Sequence, residues 1–347
     1  MIKGINLHLF GYSFRQKKIL EKKAKKLLAA CSDSSSLLIQ NYPQSLQQIL
    51  WSFGKNKIKE QLPKIDVFHS WDWLQPPDKN LPLVSTIHDL AILKYPEAAH
   101  PKILKMHQKA WHQLKQKQAE VIAVSQTTKQ DIVSLLKIPS SKVHVVHEAL
   151  PLEIKSSSES LSEEKYSQIK NKLQLNRPFF FFVGTREPRK NLPRLIDAWK
   201  NFQNDYQLII AGEAGWDETE KNSHPNLRFL GKVTDEELSV LYGEAEIFIY
   251  PSLYEGFGLP ILEAFYHGTP VISSDIGAIK EVAGNAAELI DPKSINDIKN
   301  KINKILQESK LEQQQRLQKM IIRLHFFNWQ LVAKKTLAVY QKALENK

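Results

Sequence analysis

Apolar residues along this chain fall into two spacings. Short runs recur with polar or turn segments between them: Asp66-Val67-Phe68-His69, Leu83-Val84-Ser85-Thr86-Ile87-His88, Val121-Ile122-Ala123-Val124 and Val143-His144-Val145-Val146. Such runs predict parallel strands separated by helices. Met1 to Phe10 has one early Lys and no small-residue cleavage site, so it reads as an opening buried strand and not a secretory signal. Residues 15–30 set Ile19, Leu20, Ala24, Leu27 and Leu28 on one helical face, with Lys17, Lys18, Lys22, Lys23, Lys25 and Lys26 mostly on the others. A basic amphipathic helix of this kind either packs on a sheet or lies on an anionic membrane. Ser125 is placed to cap a helix running through Leu136, with Ile132, Leu135 and Leu136 facing inward.

The pattern breaks over 154–177, where a Ser-rich, charged stretch reads as an inter-domain connection holding a short helix. It then restarts. Phe179–Val183 is a buried strand, Leu192, Leu195, Ile196, Trp199 and Phe202 recur at helical spacing, and Gln207–Ala211 is the next strand. Thr234 and Glu237 form a capping box, and Ile247–Tyr250 and Val271–Ser273 add strands. The expected fold class is α/β, with two Rossmann-like, doubly wound halves at 1–160 and 175–328 facing across a cleft. A terminal helix over 329–345 is expected to cross back onto the first half. In open parallel sheets ligands bind beyond the carboxyl ends of the strands, which makes that cleft the default site.

Composition narrows the picture. The 347 residues are 42% hydrophobic and 24% charged, ordinary values for a folded chain, which excludes disorder as a description of the whole. Forty-eight Lys and Arg against 37 Asp and Glu leave a net charge of +11, a field that attracts phosphates, nucleic acid or an anionic membrane. The single Cys31 cannot form an intramolecular disulfide, which fits a reducing, cytoplasmic compartment. No apolar stretch approaches the ~20 residues of a membrane-spanning helix. Neither a nucleic-acid recognition motif nor basic and aromatic interleaving is present, so no nucleic-acid partner is expected.

Chemistry concentrates at strand ends. Tyr250 to Ala264 runs from a strand through Glu255-Gly256-Phe257-Gly258-Leu259-Pro260 into a helix carrying Glu263. Its glycines permit close backbone approach, and an opening helix offers amides and a positive dipole end to an anion. Gly184 to Asn191 follows another strand and brings Arg189 and Lys190, a pair suited to a diphosphate. In the other half, His88-Asp89 and His69 end strands on the cleft side. Trp71, Trp73 and Tyr95 are a minor candidate for a sugar platform. His144 and His147 would point to opposite sides of a strand, so no metal site is expected there.

These residues resemble the retaining glycosyltransferases of the GT-B fold, family 4, most strongly over 178–292 and moderately over 65–150. Glu255 and Glu263 fit that family's paired-glutamate motif around Gly-Phe-Gly-Leu-Pro-Ile-Leu-Glu. The resemblance implies that Glu255 and the Gly256, Phe257, Gly258 and Leu259 backbone hold the donor sugar and its phosphate. It places Glu263 on the ribose, Arg189 and Lys190 on the diphosphate, and Gly231 to Val233 at the base. His88 matches the histidine beside the anomeric carbon, so His88 and Glu255 are the catalytic candidates, with Gly11, His69 and Asp89 on the acceptor side. Three positions depart from the family: Thr185 follows the strand glycine, the N-terminal glycine-rich loop is reduced to Gly11-Tyr12-Ser13, and His147-Glu148-Ala149-Leu150 stands where relatives usually have Asn-Gly.

The implied activity is transfer of a hexose, mannose from a GDP donor being preferred, to a saccharide or lipid-linked acceptor in envelope polysaccharide or glycolipid synthesis. The nucleotide sugar is a co-substrate and no cofactor is expected. Without an Asp-x-Asp pair, the basic residues and the helix end are expected to carry the diphosphate charge without metal. The enzyme would work in the cytoplasm, with a peripheral position on the inner membrane face as one placement. The alternatives are a sugar-nucleotide epimerase or hydrolase of the same fold, or a non-catalytic basic binding protein.

Overall fold

A computed structural model describes residues 5–29, 31, 35–71, 75–96, 101–215 and 224–345. In the first half, β1 (His8–Tyr12) pairs in parallel with β2 (Ser36–Gln40). A separate parallel sheet holds β3 (Phe68–Trp71), β4 (Leu83–Ile87), β5 (Glu120–Ala123) and β6 (Val143–Val145) in that order. The opening strand starts at His8 and is only half-buried, against the expectation of a buried one. Gly11 lies inside β1, so the shortened glycine loop expected at Gly11-Tyr12-Ser13 is strand through Tyr12.

The second half is a six-stranded parallel sheet of β7 (Phe179–Val183), β8 (Gln207–Ala211), β9 (Leu227–Gly231), β10 (Ile247–Tyr250), β11 (Val271–Ser274) and β12 (Glu288–Ile290). Its spatial order is β12-β11-β10-β7-β8-β9. β7 and β10 sit at the centre, and Phe179, Phe180, Phe181, Phe182, Ile247, Phe248 and Ile249 are buried. Strands covered on both faces read as continuous apolar runs, which is why these two were the plainest in the sequence.

Local signals set several helix starts. Ser125 Oγ accepts from the Thr128 amide at 3.0 Å and opens the helix Gln126–Asp131. Thr234 and Glu237 form the reciprocal capping box of the helix Asp235–Glu244. The inward row expected at Ile132, Leu135 and Leu136 is broken. From Ile132 the backbone continues as a π-helix to Leu136; Ile132 is buried, but Leu135 is 45% exposed. The wider turn rotates the later side chains off the 3.6-residue face. In the basic helix Lys17–Leu28, Ala24 is buried, while Ile19 and Leu27 are 56% and 63% exposed.

The stretch expected to be an inter-domain connection belongs to the second half. It forms the helices Leu152–Glu159 and Glu163–Lys172, which pack on Asp235–Glu244, and Ile169, Leu173 and Leu175 join the same core as β7. The helix Trp329–Glu345 returns to the first half, where Val339 and Ala343 pack with Val84 and Ile122 of β4 and β5.

Candidate functional site

β7 and β10 are neighbours, yet the chain leaves them in opposite directions, to β8 and β9 on one side and to β11 and β12 on the other. A crevice opens beyond the carboxyl ends of two such strands, where a doubly wound sheet takes its ligand. The segments leaving β7 and β10 at this point are Gly184 to Asn191 and Pro251 to Gly258, so the topology brings both sequence candidates together.

Their side chains form one charged cluster. Lys190 Nζ lies 2.6 Å from Glu255 Oε1, and Arg189 Nη1 donates to Glu255 Oε2 at 2.7 Å. Arg189 also donates through Nε to Glu187 Oε2 at 2.7 Å and through Nη1 to the Tyr254 carbonyl at 3.1 Å. Lys190 donates to the Tyr250 hydroxyl at 3.0 Å and lies over that ring. Burial pushes the Glu255 carboxyl up, but Lys190 and Arg189 together outweigh it and hold it below the usual carboxylate range. Arg189 loses basicity to burial and regains more from Glu255 and Glu187, so it stays charged. Two cations and two carboxylates balance one another, so the cations are fixed in place before any anion arrives.

Gly258 sets the start of the helix Leu259–Tyr266 with φ of 119°, a conformation that favours glycine, and Pro260 occupies its first turn. No side chain caps that turn. Glu263, one turn in, is buried and accepts from the Tyr242 hydroxyl at 2.9 Å. Burial raises its carboxyl to about 7, the Tyr242 hydrogen bond pulling back and Asp235 adding to the rise. His267 completes this corner, its Nδ1 2.8 Å from the Glu263 carbonyl oxygen and its ring stacked on Tyr242.

The opposite wall comes from the first half. A Cβ at Gly256 would lie 1.8 Å from the His88 carbonyl oxygen and 2.7 Å from Asp89 Cβ. Gly256 therefore serves the contact between the two halves, where the sequence suggested closeness to a ligand. Thr128 Oγ1 seals the contact by donating to the Gly256 carbonyl at 3.0 Å. Beside it the Tyr254 hydroxyl donates to Asp131 Oδ2 at 2.9 Å and accepts from the Leu90 amide at 3.2 Å, while Lys94 pairs with Asp131 at 2.7 Å. Glu281 Oε1 and Oε2 each accept from the Gln126 amide at 3.0 Å, and Oε1 lies 2.7 Å from His147 Nε2. The His88 side chain is 47% exposed at the end of β4, with Nδ1 3.1 Å from Glu148 Oε1 and its ring edge-on to Trp71.

Other expected residues sit elsewhere or do other work. Asp89 Oδ1 accepts from the Ala91 amide at 2.8 Å. The Phe257 side chain is buried edge-on to Phe327, so only its backbone is available to a ligand. Leu259 and Val233 are partly buried against the core, Val233 just after β9. His69 departs from its expected acceptor role. Its Nδ1 lies 2.7 Å from the Tyr340 hydroxyl of the terminal helix and its Nε2 2.8 Å from Thr86 Oγ1 on β4, so both nitrogens are engaged within the fold. Burial lowers the His69 imidazole to about 4, with His88 pushing the same way. Tyr95 lies against Tyr254, and Trp73 falls outside the described residues. His144 pairs with Glu120 and His147 with Glu281, in separate places.

Sequence reasoning missed Thr128, Tyr254, Glu281, Tyr242 and Glu148. Glu148, just beyond β6, and Tyr254, just beyond β10, carried a positional signal.

Residues 164–321 match the family Glycosyl transferases group 1, and residues 4–153 match Glycosyltransferase Family 4. O-antigen chain mannosyltransferase B of Escherichia coli is 32% identical over 240 residues, 65% of this chain and 61% of that protein. O-antigen chain mannosyltransferase RfbU of Salmonella typhimurium is 31% identical over 219 residues, 60% of this chain and 56% of that protein. The chain thus spans about three fifths of these relatives. A glycosyltransferase from Rickettsia africae superposes with a TM-score of 0.72 at 18% identity, over 99% of this chain and 100% of that one. Both halves carry a family match and the superposition covers 99% of the chain, so this chain belongs to the group 1 (family 4) glycosyltransferases of the GT-B fold.

Proposed function

We propose that this chain is a retaining mannosyltransferase that moves mannose from GDP-mannose to a hydroxyl of a saccharide or lipid-linked acceptor. The observation that carries the reading is the Arg189, Lys190 and Glu255 cluster at the mouth of the helix bearing Glu263, with Gly256, next in the chain, against the His88 carbonyl. In the reaction the bond from the anomeric carbon to the diphosphate oxygen breaks. The acceptor oxygen takes its place with loss of its proton, and GDP leaves. Charge gathers on the diphosphate as that bond breaks, and Arg189, Lys190 and the helix amides stabilise it without reorganising. Glu255 meets the sugar hydroxyls, Glu263 the ribose, and His88 stands at the donor sugar. Mannose is favoured because both relatives are named mannosyltransferases.

No divalent ion is needed, since the basic pair carries the charge; full activity in excess chelator is expected, and loss restored by magnesium refutes it. Trp71, exposed beside His88, offers an acceptor sugar a flat face. Exposed Ile19 and Leu27 among the lysines of the first helix suit attachment to an anionic cytoplasmic leaflet, where a lipid-linked acceptor lies. No helix among the described residues is long and apolar enough to cross a membrane.

Thermal denaturation against GDP, UDP and ADP tests the donor. A nucleotide at 100 times its dissociation constant stabilises by about 2.7 kcal/mol. Selective stabilisation by GDP is expected, and indifference to all three defeats the proposal.

A further inference from the structure

In the turn after β6, His147 and Glu148 reach to opposite sides. His147 meets Glu281 of the second half, and its ring packs against Phe257 and Phe327. Glu148 meets His88, sixty residues earlier in the chain. The backbone between them is not free to drift, because Val146 and Ala149 on either side are buried.

We propose that Glu148 is a positioning residue that fixes the tautomer and orientation of His88. The inference rests on the reading above, in which His88 stands at the donor sugar. An ionised carboxylate only accepts hydrogen bonds, so the 3.1 Å contact places a proton on His88 Nδ1. A neutral imidazole bearing that proton presents Nε2 as an acceptor, and which nitrogen carries the proton is set by the bond the other makes. Trp71, edge-on with ring centroids 6.2 Å apart, borders the ring, so its direction as well as its protonation is set. Because the adjacent His147 is anchored on Glu281, the carboxylate that orders His88 is tied to the contact between the two halves. His88 is thus ordered most firmly in the arrangement where Gly256 reaches it.

The test uses the full chain labelled with 15N-histidine. Long-range 1H–15N correlation at pH 8.5 reads the imidazole, and His88 is assigned as the signal missing from His88→Gln. A proton on Nδ1 in the wild type, falling severalfold in Glu148→Ala, is expected; equal Nδ1 protonation in the two overturns the proposal. In parallel, GDP release from GDP-mannose is measured without acceptor. Glu148→Ala should lower kcat about 10- to 100-fold with KM for GDP-mannose within about twofold, Glu148→Gln should recover part of the loss, and in a His88→Gln background Glu148→Ala should add less than about twofold. A slow His88→Gln enzyme beside a wild-type Glu148→Ala enzyme removes this inference alone. A wild-type rate in His88→Gln removes the reading of the site as well.

Discussion

Glu263 is a buried carboxyl with no cationic partner among the described residues, and it makes a sharp prediction about pH. Its carboxyl stands at about 7 against an ordinary 4.5, chiefly through burial. Below pH 4.5 both folded and unfolded chains hold the proton and nothing is lost. Between 4.5 and about 7 the folded state keeps a proton that the unfolded state has released, so stability falls as pH rises. At about 1.36 kcal/mol for each pH unit, that interval is worth about 3 kcal/mol, complete above pH 7. Glu263→Gln can keep the acceptor for the Tyr242 hydroxyl and cannot ionise. Relative to wild type it should gain about 3 kcal/mol between pH 4.5 and pH 8, a shift of about 1 to 2 M in urea midpoint for a denaturant slope of about 2 kcal/mol/M. Donor affinity should move oppositely. Ribose hydroxyls donate best to the ionised form, so GDP should bind wild type more tightly as pH rises through 7 and should bind Glu263→Gln weakly throughout. Urea unfolding and isothermal titration of GDP at pH 5, 6, 7 and 8 make the comparison. A stability difference that stays flat across that range refutes the argument.

Lys190→Met should lower kcat/KM by about 100- to 1,000-fold in a GDP-release assay, the usual cost of one oriented donor to developing charge. It should also lower stability by about 3 to 5 kcal/mol in urea, because buried Glu255 loses one of two partners. Gly256→Ala puts a methyl group into the His88 carbonyl, so about a 100-fold loss of kcat/KM is expected together with a larger radius of gyration by X-ray scattering. Tyr340→Phe removes the hydroxyl bonded to His69 and should cost about 1 kcal/mol by denaturation while leaving GDP affinity unchanged.

Nine of the twelve strands, the caps at Ser125 and Thr234, and the two segments that carry Arg189, Lys190 and Glu255 were readable from neighbouring residues, whereas Ser36–Gln40, Leu227–Gly231 and Glu288–Ile290 were not read as strands. A four-phenylalanine run can only be buried, Ser125 caps the amide three positions on, and a glycine ahead of proline and glutamate announces a turn into a helix. These signals act over a few residues, so the linear order carries them. Both segments were expected at the same cleft, but the ion pairs of Arg189 and Lys190 with Glu255 were not read from the sequence.

Packing between distant parts decided the rest. The docking of 152–172 onto the second half depends on the surface that segment meets, and the π-turn breaks the 3.6-residue face that the spacing suggested at Leu135. His69 and His88 looked alike as strand-end histidines, yet one is locked to a helix from the far end of the chain and the other stands half-exposed in the cleft. Gly256 against His88, Tyr254 on Asp131, Glu281 at the Gln126 amide and Glu148 on His88 join residues that no local propensity relates. A hydrogen bond a few ångströms long forms only once both halves are built and face each other, so its partners are chosen by the relative placement of the halves.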